Sequence, residues 1–206
     1  MIQILCTDIS GADENTFQAF YEKASPQRRQ RADGYRRRED ALRCLTGEAL
    51  LRHVLGTGQF TVEKAENGKP FLSGREDFHF NLSHADRWVV LAWGNSPVGV
   101  DVEKIRPDTD IAAVSRRFFH PQEQRSIREA PDMGRRFFEI WTAKESYLKY
   151  LGTGLKTDLR SFSVMSLPPQ LHLHQRSLKG DCVVCLCTKE TECTLEQLPV
   201  QALLSI

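Results

Sequence analysis

The chain has 206 residues, enough for one large domain or two small ones with a real core. Hydrophobic residues make up 40% and charged residues 27%, with 13 Gly and 9 Pro, which excludes low-complexity and disordered classes. A formal net charge of +1 argues against a dedicated nucleic-acid binder, and no apolar run approaches the ~18–20 residues of a membrane helix. Met1–Asp8 lacks the basic start and long apolar centre of a signal peptide, so a cytoplasmic protein is expected, with neither nucleic acid nor membrane as partner.

Ile2–Thr7 reads as a strand, and Asp13 opens a helix to about Lys23 with an acidic first turn. Ser25-Pro26 is a cap and first-position signal for a short helix carrying Arg28, Arg29 and Arg31. From about Arg37 to Leu55, Ala41, Leu42, Leu45, Ala49 and Val54 recur at helical spacing, and Gly56 supplies the stop. Strands are predicted at Phe60–Lys64, Phe78–Leu82, Trp88–Trp93 and Val98–Glu103, with a tight turn at Asn67-Gly68. The second half repeats the order: helices at Ile111–Phe119, Pro121–Ala130 and about Gly134 to Leu151. Strands follow at about Phe162–Met165, Leu171–His174, Cys182–Cys187 and Thr194–Leu198. The expected class is α+β: two pseudo-symmetric lobes, 1–103 and 104–206, each with helices packed on a small antiparallel sheet. A ligand cleft is expected between them.

Between Gln27 and Arg43 stand Arg28, Arg29, Arg31, Arg36, Arg37, Arg38 and Arg43, against three acids. Such a stretch suits a polyanion, and equally a solvated helical face. Four of the six cysteines (Cys182, Cys185, Cys187, Cys193) cluster near the C-terminus. On a strand Cys185 and Cys187 face one side and Cys182 the other, poor geometry for one ion. Structural thiols are the favoured reading over zinc.

Three segments carry chemistry. In Val98-Gly99-Val100-Asp101-Val102-Glu103 the valines point into a core, while Gly99, Asp101 and Glu103 share the opposite face. Alternate carboxylates on one face suit a hard cation such as Mg²⁺ or Mn²⁺, and Gly99 leaves room for a ligand; an exposed acidic strand end is the plainer reading. On the long helix Phe137, Ile140, Trp141, Leu148 and Leu151 form an apolar stripe that contains Lys144, whose charge must snorkel or meet an anion. Thr142, Glu145 and Lys149 form a polar line, which by itself also describes a surface i,i+4 pair. Phe80-Asn81-Leu82-Ser83-His84 places small polar groups at a strand end. Adjacent strand residues point apart and no Gly-x-Ser-x-Gly elbow is present, so a serine hydrolase is excluded.

Taken together and in order, these segments resemble the 4′-phosphopantetheinyl transferases of the larger, surfactin-type (Sfp-type) group. The residues are Glu39-Asp40-Ala41 with Arg43 and Gly47, Gly68-Lys69-Pro70, Phe80–His84, Val98–Glu103, Arg117-Phe118-Phe119 and Trp141–Lys149, covering about 25–165. The Gly-x-Asp-x-Glu strand followed by Trp-Thr-x-Lys-Glu-x-x-x-Lys is the most specific part. The resemblance implies that Asp101, Glu103 and Glu145 bind Mg²⁺ (Mn²⁺ as a substitute). It also implies that Glu145, directly or through a metal-bound water, is the base, and that Lys149 neutralises the attacked phosphate. Arg28, Arg31, Arg43, Lys69, Ser83 and His84 match coenzyme A-binding positions, and Lys144 is counted with them. Ala85 and Thr142 replace common serines, and Val102 separates the two acids, so a water is expected in that coordination place.

The implied reaction moves the phosphopantetheine arm of coenzyme A to a serine of an apo acyl or peptidyl carrier protein, catalysed by a monomer. The carrier is expected around Arg116–Arg128. A Mg²⁺-dependent hydrolase of a phosphorylated cofactor and a coenzyme A- or RNA-binding module are the competing readings.

Overall fold

A computed structural model describes residues 1–154 and 157–205. Among the described residues six α-helices, α1 (Glu14–Lys23), α2 (Pro26–Asp33), α3 (Arg38–Leu55), α4 (Ile111–Phe118), α5 (Pro121–Arg128) and α6 (Met133–Leu151), flank small sheets. The strands are β1 (Ile2–Asp8), β2 (Val62–Lys64), β3 (Pro70–Leu72), β4 (His79–Ala85), β5 (Trp88–Gly94), β6 (Val98–Lys104), β7 (His172–Leu178), β8 (Cys182–Thr188) and β9 (Cys193–Pro199). Helix starts follow their caps: Asp13 accepts the Thr16 N–H at 2.8 Å, and the Ser25 hydroxyl accepts the Arg28 N–H at 3.3 Å.

One sheet runs β4-β5-β1-β9 and another β6-β8-β7, with β2-β3 a separate hairpin. Alternation along β1 explains the layering. Leu5 joins Phe20, Leu45, Leu50 and Leu51 under α1 and α3, while Ile2, Ile4 and Cys6 meet Val98, Val100, Val102, Val184 and Leu186. α6 then covers the far face of the second sheet, against β6 and β8. The order is helices, sheet, sheet, helices. Pairing is antiparallel except for β9, which lies parallel to β1. Strands cross the expected division of the chain: β6 is an edge of the second sheet, and β9 completes the first.

Two local expectations change. The segment 162–165 is not a strand. Ser163 accepts the Met165 N–H, the Val164 N–H goes to Glu123, and the Phe162 carbonyl receives Lys144, so these groups have no ladder to make. Pro70–Leu72, unassigned from sequence, is a strand because the Asn67-Gly68 turn folds it onto β2, with Gly68 at φ 84°. Among the described residues no helix is long and apolar enough to cross a membrane.

Candidate active site

β6 carries the first acids, and its alternation is as the sequence requires. Val98, Val100 and Val102 are buried between the sheets, so Asp101 and Glu103 turn toward α6. Gly99 shares that face, but the space beside it is not open to a ligand: a Cβ there would stand 2.8 Å from the Lys149 carbonyl carbon, and closer still to Ser146 O and Tyr150 N. Its missing side chain lets the α6 backbone lie directly on β6.

That approach brings Lys149 to Asp101. The ammonium lies 2.6 Å from Asp101 Oδ1 and 2.9 Å from Ser83 Oγ, and the Ser83 hydroxyl donates to the same Oδ1 at 2.9 Å. Lys149 is therefore not half of a surface pair with Glu145. Asp101 is 5% exposed, and its second oxygen, Oδ2, is buried without a hydrogen-bond partner. An orphaned carboxylate oxygen is costly unless something electropositive completes it.

Glu103 and Glu145 complete the acid group. Burial pushes the Glu103 carboxyl up, Asp101 adds to the rise, and Arg106, 2.7 Å from Oε2, opposes it. Burial likewise pushes Glu145 up, with Asp101 and Glu103 reinforcing it and Lys149 opposing. Among the described residues, no three His, Cys, Asp or Glu side chains stand ready as a metal-holding group. The convergence expected from sequence is thus electrostatic: Asp101 feels Lys149, Glu103 is held by Arg106, and Glu145 senses both acids. The donor set nevertheless fits a hard divalent cation. It is all carboxylate oxygen, one oxygen is unpartnered, and two of the acids are pushed toward protonation.

Beside Glu103 opens a cleft of about 750 Å³, walled by Arg37, Asp40 and Arg43 of the α3 region, His84 near the end of β4, Asp86 of the β4–β5 turn, and Lys104 and Arg106. Three of its cations stand paired: Arg43 with Asp40, Lys104 with Asp86 at 3.0 Å, and Arg106 with Glu103. Partial burial and the charges of Arg43 and Lys149 push the His84 imidazole down, which favours its neutral form. The four cations of these walls give an anionic ligand its partners. The arginine run is therefore divided. Arg37 and Arg43 reach the cleft, whereas Arg28 binds the buried Glu48 at 3.3 Å and Arg31 donates to the Tyr35 hydroxyl at 3.3 Å.

Two other expected ligand residues face protein groups. Lys69 Nζ donates to the carbonyls of Val98 (2.9 Å) and Tyr150 (3.0 Å), clamping the start of β6 to the end of α6, and burial pushes its pKa down to about 8. Lys144 is 1% exposed and does meet an anion, but an internal one: both oxygens of Glu123 (2.8 and 2.9 Å), plus the Phe162 carbonyl at 2.8 Å. Glu123 is spaced 21 residues away and gave no sequence signal. Arg106 and Glu48 were also not singled out, and Asn81 stood in a quoted motif without a role of its own. Cys182, Cys185 and Cys187 lie as expected on β8, with Cys182 between the sheets and Cys185 beside Ser146 of α6, and burial pushes Cys185 and Cys187 up to about 12.

Comparison with known proteins supplies the remaining evidence. The model described as 4′-phosphopantetheinyl transferase superfamily matches residues 97–192, and one described as 4′-phosphopantetheinyl transferase, N-terminal, matches 12–96. The chain is 33% identical over 165 residues to 4′-phosphopantetheinyl transferase Sfp of Bacillus subtilis, covering 76% of this chain and 71% of that protein. It is 33% identical over 196 residues to 4′-phosphopantetheinyl transferase psf-1 of Bacillus pumilus (89% and 83%). It is 34% identical over 188 residues to 4′-phosphopantetheinyl transferase gsp of Aneurinibacillus migulanus (87% and 78%). This chain belongs to the 4′-phosphopantetheinyl transferases and is an enzyme of that type.

Proposed function

We propose that the enzyme transfers the 4′-phosphopantetheine arm of coenzyme A to a serine hydroxyl of an apo carrier protein, with a divalent cation held by Asp101, Glu103 and Glu145. The orphaned Oδ2 of Asp101, set beside Lys149 and two proton-seeking glutamates, is the observation that carries this reading. All-oxygen donors favour Mg²⁺, with Mn²⁺ a substitute. When bound, such an ion supplies charge neutralisation at the pyrophosphate.

The chain's own groups do the rest. The serine oxygen forms a bond to the phosphorus bearing the pantetheine arm, the bond to the adenosine 3′,5′-bisphosphate oxygen breaks, and the serine proton passes to the Glu145 carboxylate. A glutamate pushed up by burial is a better base than an ordinary one. Lys149, 29% exposed at its side chain, faces the phosphate as positive charge. Arg37, Arg43, Lys104 and Arg106 take the remaining phosphates along the cleft, with His84 as a hydrogen-bonding partner. Exposed basic residues of α4 and α5, from Arg116 to Arg128, offer an acidic carrier its docking face, and a monomer suffices because both halves come from one chain.

Mass spectrometry of apo carrier proteins incubated with coenzyme A, Mg²⁺ and the enzyme tests the reading. The expected result is a gain of one phosphopantetheine arm that disappears with EDTA. Coenzyme A breakdown without an acceptor would favour a hydrolase, and no mass gain on any carrier would remove the proposal's support.

A further inference from the structure

We infer that Asn81 is a positioning residue for the acid strand, acting on the reaction through the backbone that carries Asp101. This rests on the assignment of Asp101 to the acid cluster proposed above.

β4 and β6 are edge strands of different sheets, and they lie side by side without forming a ladder. An edge strand leaves alternate N–H groups without strand partners, and buried ones must be met some other way. Here side chains replace the missing strand. Asn81 Oδ1 accepts the Val100 N–H at 2.8 Å, and Ser83 Oγ accepts the Val102 N–H at 3.3 Å. Both acceptors project from one face of β4 at the two-residue spacing of a strand, and both targets stand at the same spacing on β6. Asp101 lies between the two pinned amides.

The two pins differ in what else they touch. Ser83 also contacts Asp101 and Lys149, so its substitution would change the charged cluster directly. Asn81, 6% exposed, binds the backbone beside Asp101 and does not line the cleft. Its loss would leave the Val100 N–H unmet in a buried seam, and the strand would shift to find another acceptor. Such a shift moves Asp101 Oδ2 relative to Glu103 and Glu145, which come from β6 itself and from α6. Constellations of this kind tolerate only about half an ångström.

The test is Mn²⁺ binding by electron paramagnetic resonance to the metal-free full chain, together with transfer kinetics. Asn81→Ala should weaken Mn²⁺ binding about tenfold or more and lower kcat about tenfold or more, while the carrier KM stays within about twofold. Asn81→Asp keeps an acceptor of the same reach and should recover part of the lost kcat. Leu50→Ala, a core variant under α3, should lose stability without loss of Mn²⁺ affinity. If Asn81→Ala does not fold, Asn81→Ser, with an acceptor too short for Val100, gives the same comparison. Wild-type chain that binds no Mn²⁺ would sink the acid-cluster reading, and this inference with it. Wild-type binding with equal affinity in the Asn81 variants, or equal weakening by Leu50→Ala, overturns the inference alone.

Discussion

Replacing Gly99 with alanine places one methyl group where α6 rests on β6. That methyl would lie 2.8 Å from the Lys149 carbonyl carbon, and nearer to Ser146 O and Tyr150 N. All three are backbone atoms, so no side-chain rotation can make room, and the helix must lift by roughly an ångström to restore ordinary contact. Lys149 Nζ starts 2.6 Å from Asp101 Oδ1 and 2.9 Å from Ser83 Oγ, so a lift of that size carries both bonds past useful length. Two effects on stability oppose each other. Alanine in a strand interior is favoured over glycine by about 0.5–1 kcal/mol, and Gly99 is not in a left-handed conformation that would penalise a side chain. Overpacking against fixed backbone costs about 1–3 kcal/mol, so the clash wins and a net loss of about 1–2 kcal/mol is expected. Activity should suffer more, because an ångström of misplacement costs about a hundredfold in rate. Urea unfolding and initial rates of carrier modification measure the two. Gly134→Ala, near the start of the same helix, meets only the Asp132 carboxylate at 3.4 Å and should be neutral or slightly stabilising. A Gly99→Ala enzyme as stable and as fast as wild type would refute the close-packing argument.

Glu145→Gln should lower the transfer rate about a hundredfold or more, since a positioned base contributes about 10²–10⁴, yet leave the urea midpoint unchanged or raised. The amide escapes both the burial and the neighbouring Asp101 charge that push the glutamate up, and a lowered midpoint would contradict this. Lys144→Met should destabilise by about 3–5 kcal/mol, because it strands the fully buried Glu123 carboxylate, and Lys144→Met/Glu123→Leu should recover only part, since the N–H groups of His120 and Val164 also bind Glu123. A mild effect in denaturant titrations would show that the pair is not needed to anchor α6. Above pH 9 the fold should weaken. Burial pushes Cys6, Cys185 and Cys187 up to about 12, so unfolded thiols release protons that folded ones keep, and the stability present below pH 9 is lost as pH rises. At pH 10 the three together cost about 4 kcal/mol. Lys69, pushed down to about 8, works the other way between pH 8 and 10.5 and offsets part of it. Urea midpoints at pH 8 and 10 check the sign, and a rise at pH 10 would refute it.

Much of this molecule was legible because local rules act over a few residues. Asp13 and Ser25 cap their helices, Gly56 ends α3 in a left-handed conformation, and the valines of β6 alternate into the inter-sheet core. The motifs likewise pointed to Asp101, Glu103, Glu145 and Lys149 as candidates, and the fold sets Lys149 on Asp101. Periodicity says which face a side chain takes, and does not say what waits there. Lys144 on an apolar stripe had to snorkel or meet an anion, and only the packing of α5 against α6 supplied Glu123. Lys69 followed a turn beside a family motif, and the tertiary fold set it between two carbonyls. Gly99 was read as room for a ligand and is filled by a helix. The sequence by itself determined most of the elements, the buried faces and the residue types of the candidate site. The tertiary structure decided which charges meet, because pairing across 20 to 80 residues depends on how layers stack, and no periodicity within one element encodes its neighbour.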